Sequence, residues 1–441
     1  MARILCVGAG HVGLPLSLKF WAAGHDVSLV DIDTARIEDL ERGKMPFVEN
    51  GCDDLLAQAS TGDRFHPLTY GSPEFQKHVA SAEYILLTLG TPLGADYTFR
   101  FDQYFDALDR LIPHLRPGVA LVVRSTVAPH FTRNVVTARV ATERRWIPGL
   151  HFFPSFCPER LAQGQALHEI DSLPEIIGAD DPDTAGRVTD LFKSLGSHKR
   201  CIHVSTVEAE LAKLYLNAFR YTLFGLANEF AQISEQYGAD VYQILEAANT
   251  GYPRGGVPLP GPSRGPCLGK DTATLAFSTT ASLISHAAIK TNENVVLHVA
   301  QELRSALSGF LGRQVTVLGL AFKADTDDTR DNLTDPLINL LDREGAITAV
   351  YDPLVPDHSD PGALAGSDAV VLMTAHGTFR AWTESRLLEL CAKRRDELFV
   401  LDLWNVWPWA DQIYGRGSDE YEHPGHWDLR FAYAGDRAPS A

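Results

Sequence analysis

The chain has 441 residues, more than the roughly 100 to 200 of one compact unit, so two or three units are expected. Its 45% hydrophobic and 22% charged residues suit a globular core and surface, and a net charge of −17 disfavours nucleic acid and anionic membranes as partners. No apolar run approaches the roughly 20 residues that cross a bilayer, the start lacks a basic-then-apolar leader, and six cysteines are scattered without paired spacing, so a cytoplasmic protein with no metal site or disulfide framework is expected.

Residues 3–7, 27–31, 84–90 and 119–124 read as short β-rich apolar runs, separated by helical or mixed stretches such as 14–23 and 101–115. That alternation predicts βαβ architecture. Residues 208–248 carry apolar positions at helical spacing with few breakers beyond Gly225 and Gly238, which predicts long helices. A Gly/Pro-rich loop over 251–271 follows, then more helix to about residue 310. Strands are expected again at 315–320, 349–351, 369–373 and 398–403, and a loose polar tail from Arg416 onward.

The first turn, Gly8-Ala9-Gly10-His11-Val12-Gly13, directly follows the apolar run Ile4-Leu5-Cys6-Val7. This is a dinucleotide-binding pattern: Gly8 permits the bend, Gly10 admits the pyrophosphate and Gly13 lets the next helix pack on its strand. His11 and Val12 complete the turn, and Arg36 beyond the second strand is a further cofactor candidate. Asp31 ends that strand, where it would accept from ribose hydroxyls and repel a 2′-phosphate, so NAD is expected rather than NADP. Thr91-Pro92 and Ser125-Thr126-Val127 fall at the carboxyl ends of later strands, where such sheets bind ligands.

Further along, Cys267 stands four residues ahead of Asp271 in the segment Gly261-Pro262-Ser263-Arg264-Gly265-Pro266-Cys267-Leu268-Gly269-Lys270-Asp271. A thiol and a nicotinamide together point to covalent oxidation of carbon. With Pro158-Glu159-Arg160-Leu161, Glu210 to Asn217, and Gly319-Leu320-Ala321-Phe322-Lys323 continuing to Arg330, these motifs run in order over nearly the whole length. In that order the chain resembles the UDP-glucose/GDP-mannose dehydrogenase family, NAD-dependent enzymes that oxidise a nucleotide sugar at C6 to the uronate.

The resemblance implies an α/β fold of two Rossmann-like doubly wound domains joined by a central helical dimerisation region, divided here at 1–200, 201–310 and 311–441, and a homodimer or higher homo-oligomer acting on a UDP-sugar. It implies that the Cys267 thiolate traps an aldehyde as a thiohemiacetal and passes through a thioester, with Lys213 and Asn217 stabilising the oxyanion, Asp271 serving water activation and proton transfer, Glu159 assisting hydrolysis, and Thr126 meeting NAD or the catalytic water. Lys213 and Asn217 are four apart and share a helix face, as that pairing requires. Arg330 is placed at the NAD phosphates, and Arg160, Leu161, Arg220 and Lys323 at the substrate; Arg254 is placed to cross a dimer interface to the partner's substrate.

Two departures stand out. Gln163 occupies the place of a second acid, and Arg264-Gly265-Pro266 replace paired glycines, with Pro266 removing a backbone donor. Tyr252-Pro253-Arg254 through Ser263 looks closer to the branch that uses UDP-N-acetylhexosamines than to that using UDP-glucose. Two other readings stay open: a single-step hydroxyacid or 6-phosphogluconate-type dehydrogenase, which needs no thiol, and a non-catalytic NAD or nucleotide-sugar binding protein.

Overall fold

The computed structural model describes residues 1–94, 99–196 and 198–417, and the tail expected beyond that lies outside the described residues. The first sheet contains β1 (Arg3–Val7), β2 (Asp26–Asp31), β3 (Phe65–Thr69), β4 (Tyr84–Leu87), β5 (Val119–Val123), β6 (Phe152–Phe156), β7 (Glu175–Gly178) and β8 (Cys201–Val204), in the order β3-β2-β1-β4-β5-β6-β7-β8. From β3 to β6 every pairing is parallel, which is the doubly wound dinucleotide-binding order. β7 then joins β6 antiparallel through Phe156 and Gly178 and carries β8 parallel to itself, a pair that the apolar pattern did not announce.

Burial explains the central strands. Every residue of β5 is buried, because helices cover both faces of a parallel sheet and strip the strand of any polar side. Alternate residues divide between two cores: Leu5, Val7, Leu87 and Val123 pack on one face, Ile4, Cys6, Leu86 and Val122 on the other.

The middle of the chain is helical, as expected. The helix Thr206–Gln236 starts at a capping box in which the Ser205 hydroxyl accepts from Glu208 N–H while the Glu208 carboxylate accepts from Ser205 N–H. Helices Val241–Asn249, Gly265–Ser278 and Leu283–Leu307 follow. The loop expected over 251–271 therefore ends early: helix begins at Gly265, and Cys267 sits in its first turn. Proline suits that first turn, since a first-turn N–H has no partner within the helix and Pro266 costs it nothing.

The second sheet is all parallel: β9 (Gln314–Leu318), β10 (Ile347–Tyr351), β11 (Ala369–Leu372), β12 (Phe399–Asp402) and β13 (Gln412–Ile413), ordered β10-β9-β11-β12-β13. Its order reverses between β9 and β11, so the segment leaving β9, Gly319 to Arg330, rises at the switch point, where open sheets hold ligands.

Candidate active site

The carboxyl ends of both sheets face one cavity of about 820 Å³, with the long helix and the Cys267 helix between them. Gly8, Gly10, His11, Val12, Asp31, Arg36, Thr91 and Thr126 line its first half. The three glycines differ in their surroundings. Gly8 takes φ +108°, and a Cβ there would lie 2.8 Å from Thr88 O. A Cβ on Gly13 would lie 1.9 Å from Gly8 O, so Gly13 packs behind the turn, while Gly10 has nothing within 4 Å and opens to the cavity.

The helix Gly13–Ala22 starts there with no side chain capping it, leaving its first N–H groups for an anion. Asp31 is fixed beside them: Oδ2 accepts from Ala9 N–H at 2.6 Å, Oδ1 accepts from Asp33 N–H at 2.9 Å, and Arg36 Nη1 lies 3.6 Å away. An uncapped helix start, an open glycine and a strand-end carboxylate fit the pyrophosphate and ribose of a dinucleotide.

Cys267, Lys213, Asn217, Arg220, Glu159, Arg160, Leu161, Lys323 and Arg330 line the other part. Lys213 and Asn217 come from one face of the long helix, which their spacing required. Asn217 Nδ2 donates to Asp271 Oδ2 at 2.5 Å, and Lys270 Nζ lies 3.0 Å from Asp271 Oδ1. Asp271 is wholly buried behind them, and its carboxylate holds both that amide and that ammonium. Lys270 also donates to Thr91 Oγ1 at 3.4 Å, tying the Cys267 helix to the first sheet.

Cys267 is open to the cavity yet deep within the protein mass. Burial pushes its thiol up; Lys213 pulls it down, Asp271 pushes it up, and Lys270 and Arg330 pull it down. A first-turn position adds the positive end of a helix, which favours thiolate.

Glu159 is more constrained than an acid free to move protons. Its Oε1 accepts from Arg160 N–H and Leu161 N–H at 2.7 and 2.9 Å, and its Oε2 from Arg124 Nη2 at 2.7 Å. Burial would raise its carboxyl, but the Arg124 charge and hydrogen bond outweigh this and hold it below the usual carboxylate range. Arg124 and its second partner Glu175 were not anticipated; the only hint was a cation ending the buried run of β5.

Gln163 meets His11 through Nε2 to Nδ1 at 3.1 Å, and its backbone carbonyl accepts from Lys323 Nζ at 3.0 Å. The departure thus links the glycine turn to the second sheet's loop. Arg330 is paired with Asp328 at 2.6 Å. Pro92 lines an adjoining cavity of about 690 Å³. Arg254 stays outside both: its Nη2 donates to the hydroxyl of its own neighbour Tyr252 at 2.8 Å, on an exposed loop.

Residues 2–196 match the NAD binding domain of the UDP-glucose/GDP-mannose dehydrogenase family, 207–295 its central domain and 316–408 its UDP binding domain. The chain belongs to that family. It is 27% identical over 416 residues to a UDP-N-acetyl-D-mannosamine dehydrogenase of Methanococcus maripaludis, covering 92% of this chain and 93% of the relative. A UDP-glucose 6-dehydrogenase of Bacillus subtilis is 28% identical over 402 residues, 84% of this chain and 87% of the relative. Among solved structures, UDP-D-ManNAc dehydrogenase from Pyrococcus horikoshii superposes with a TM-score of 0.86 at 25% identity, covering 94% of this chain and 99% of that one. UDP-glucose dehydrogenase from Pyrobaculum islandicum gives 0.84 at 26%, with 95% and 98% covered.

Membership makes the chain an NAD-dependent nucleotide-sugar dehydrogenase and makes its cavity the meeting place of an NAD unit and a UDP unit. No described helix is long and apolar enough to cross a membrane.

Proposed function

We propose that the protein oxidises the C6 alcohol of a UDP-N-acetylhexosamine to the uronate in two steps, both through Cys267. The observation that carries this is the thiol's position: it stands in the first turn of a helix, on the cavity wall between the glycine turn and the segment leaving β9, with Lys213 and Asn217 on the facing helix.

NAD held at the glycine turn would accept one hydride in each oxidation, a second NAD taking the place of the first NADH between them. In the first step C6 gives up a hydride and the hydroxyl a proton to water, leaving an aldehyde. Cys267 Sγ bonds to that carbon as the C=O double bond becomes single, and the thiol proton passes to the aldehyde oxygen, giving a thiohemiacetal. Loss of a second hydride and of that proton leaves a thioester. Water then attacks C6 and the C–S bond breaks; one proton of that water goes to sulfur and the other to solvent, so carboxylate and thiol are released.

Lys213 and the free N–H of Asn217 stabilise the oxyanions on either side of the thioester, and Asp271 holds both Asn217 and Lys270 in place. Asp31 takes the ribose, the start of the helix Gly13–Ala22 takes the pyrophosphate, and Thr126 positions water. Lys323 and Arg330 supply local cations for the nucleotide sugar and NAD phosphates. Glu159, both oxygens engaged, shapes the Arg160-Leu161 wall.

The units proposed are 1–200, 201–310 and 311–441, and the assembly a homodimer. Tyr215, Phe219, Leu226 and Ile233 are exposed along one face of the long helix, and a second copy of this chain is proposed to cover them, bringing Arg254 to the neighbour's site.

A panel of UDP-glucose, UDP-N-acetylglucosamine, UDP-N-acetylmannosamine, UDP-galactose and GDP-mannose, scored for NADH formed per sugar, tests the reading. Two NADH per N-acetylhexosamine, with a trapped or stalled intermediate in Cys267→Ser, are expected. One NADH per sugar with an active Cys267→Ala would sink it.

A further inference from the structure

The helix that carries Cys267 is fastened at its start by contacts that lie outside the reaction. Arg264, the residue before the helix, offers it no side-chain cap. Its guanidinium turns away instead, with Nε donating to Asp331 Oδ1 at 2.8 Å and Nη1 to Glu293 Oε1 at 3.1 Å. Gly265 N–H donates to the backbone carbonyl of the same Asp331 at 3.0 Å. Gly265 itself takes φ +90°, and a Cβ there would lie 2.3 Å from Cδ2 of Phe322. Residues 264 and 265 are thus docked on the segment leaving β9, and one turn of helix carries that registration to the thiol two residues on.

The geometry points to Arg264 as a positioning residue for Cys267: together with Asp331 and Glu293 it sets the start of the thiol helix against the segment that presents Lys323 and Arg330. This rests on Cys267 being the nucleophile proposed above. A ligand role for Arg264 is disfavoured, because its charge is already met by two carboxylates although its side chain lines both cavities. Ion pairs that are still a quarter to a third exposed add little to global stability. A thiol displaced by about 1 Å, in contrast, costs up to about a hundredfold in rate. The pairing therefore affects turnover far more than folding.

The test uses the full-length enzyme with NAD and the best sugar of the panel, comparing Arg264→Ala, Arg264→Lys and Asp331→Asn. Turnover is read as kcat and KM separately. Alkylation of Cys267 by iodoacetamide, followed on its own peptide by mass spectrometry, is read without substrate. Expected are a kcat loss of about tenfold or more in Arg264→Ala, with KM for NAD and sugar within about threefold, a changed alkylation rate, and partial recovery in Arg264→Lys. Asp331→Asn, which removes the other end of the pairing, should show the same pattern and keeps the test valid if Arg264→Ala fails to fold. An unchanged kcat and alkylation rate in Arg264→Ala or, should that variant not fold, in Asp331→Asn would overturn the inference, and so would a raised sugar KM at full kcat. Alkylation needs no turnover, so a failed two-step mechanism and a failed positioning role give different results.

Discussion

The Arg124 guanidinium joins the carboxylate of Glu159 to that of Glu175 inside the first sheet, at 2.7 and 2.8 Å, with all three side chains buried. It thereby links the end of β5, which carries Ser125-Thr126, to the Glu159-Arg160-Leu161 wall. Arg124→Met leaves both carboxylates without their cation, which costs about 3–5 kcal/mol where a buried pair is broken. Urea unfolding should show a loss of that order. A loss under about 1 kcal/mol would mean that water replaces the guanidinium.

The glycine turn separates two effects that are usually confounded. Gly13→Ala would drive a methyl group to within 1.9 Å of Gly8 O, so the turn itself must shift and the protein should lose stability. Gly10→Ala meets no atom within 4 Å, so it should fold normally and raise KM for NAD by about tenfold or more through the space that the pyrophosphate needs. Thermal melts and NAD titrations of the two variants check the contrast. Equal NAD affinity in Gly10→Ala and the parent would remove the pyrophosphate from that position.

The thiol carries a pH signature. Burial raises Cys267 above the ordinary thiol value and Lys213 is the largest opposing influence. Alkylation should therefore speed up as pH rises, with an apparent midpoint above the ordinary one. Lys213→Met should move that midpoint higher still and slow alkylation near pH 8 by several fold. A midpoint moved downward by the variant would contradict the arrangement.

Much of this was legible in the sequence because period and position are physical constraints. A strand buried along its whole length such as β5, a glycine where a Cβ has no room, and two polar side chains four apart on a helix each leave a mark in one dimension. Gly8, Asp31, Lys213, Asn217 and Cys267 all converge on one cavity for that reason. Arg124 with Glu175 left no such mark, since this buried ion pair is made by residues 51 apart, one just past β5 and one on β7, with β6 between them in the sheet. β8 was missed because its middle residues are exposed and alternate with nothing periodic. The start of the thiol helix was hidden by Gly265 and Pro266, which read as loop but serve as close contact and helix start. Arg254 does not reach the cavity of its own chain.

The junction between the helical region and the second sheet should respond to pH as well. His298 Nε2 lies 2.8 Å from Glu235 Oε2, while Glu235 Oε1 accepts from Gly415 N–H at 2.6 Å, so one carboxylate ties the helix Leu283–Leu307 to the end of β13. Burial lowers the imidazole, but the Glu235 carboxylate beside it, with Glu302 beyond, raises it above its ordinary 6.5. A raised histidine stabilises fully below its unfolded value and loses that contribution as pH climbs through its folded one. His298→Asn should therefore melt below the parent at about pH 5.5, and the gap should narrow toward pH 9 as the parent loses its charged pair. Melting curves of both proteins across that range decide it: a gap that stays constant or widens with pH would show that His298 acts there by packing against Tyr414, whose ring centroid is 5.4 Å away, rather than by its charge.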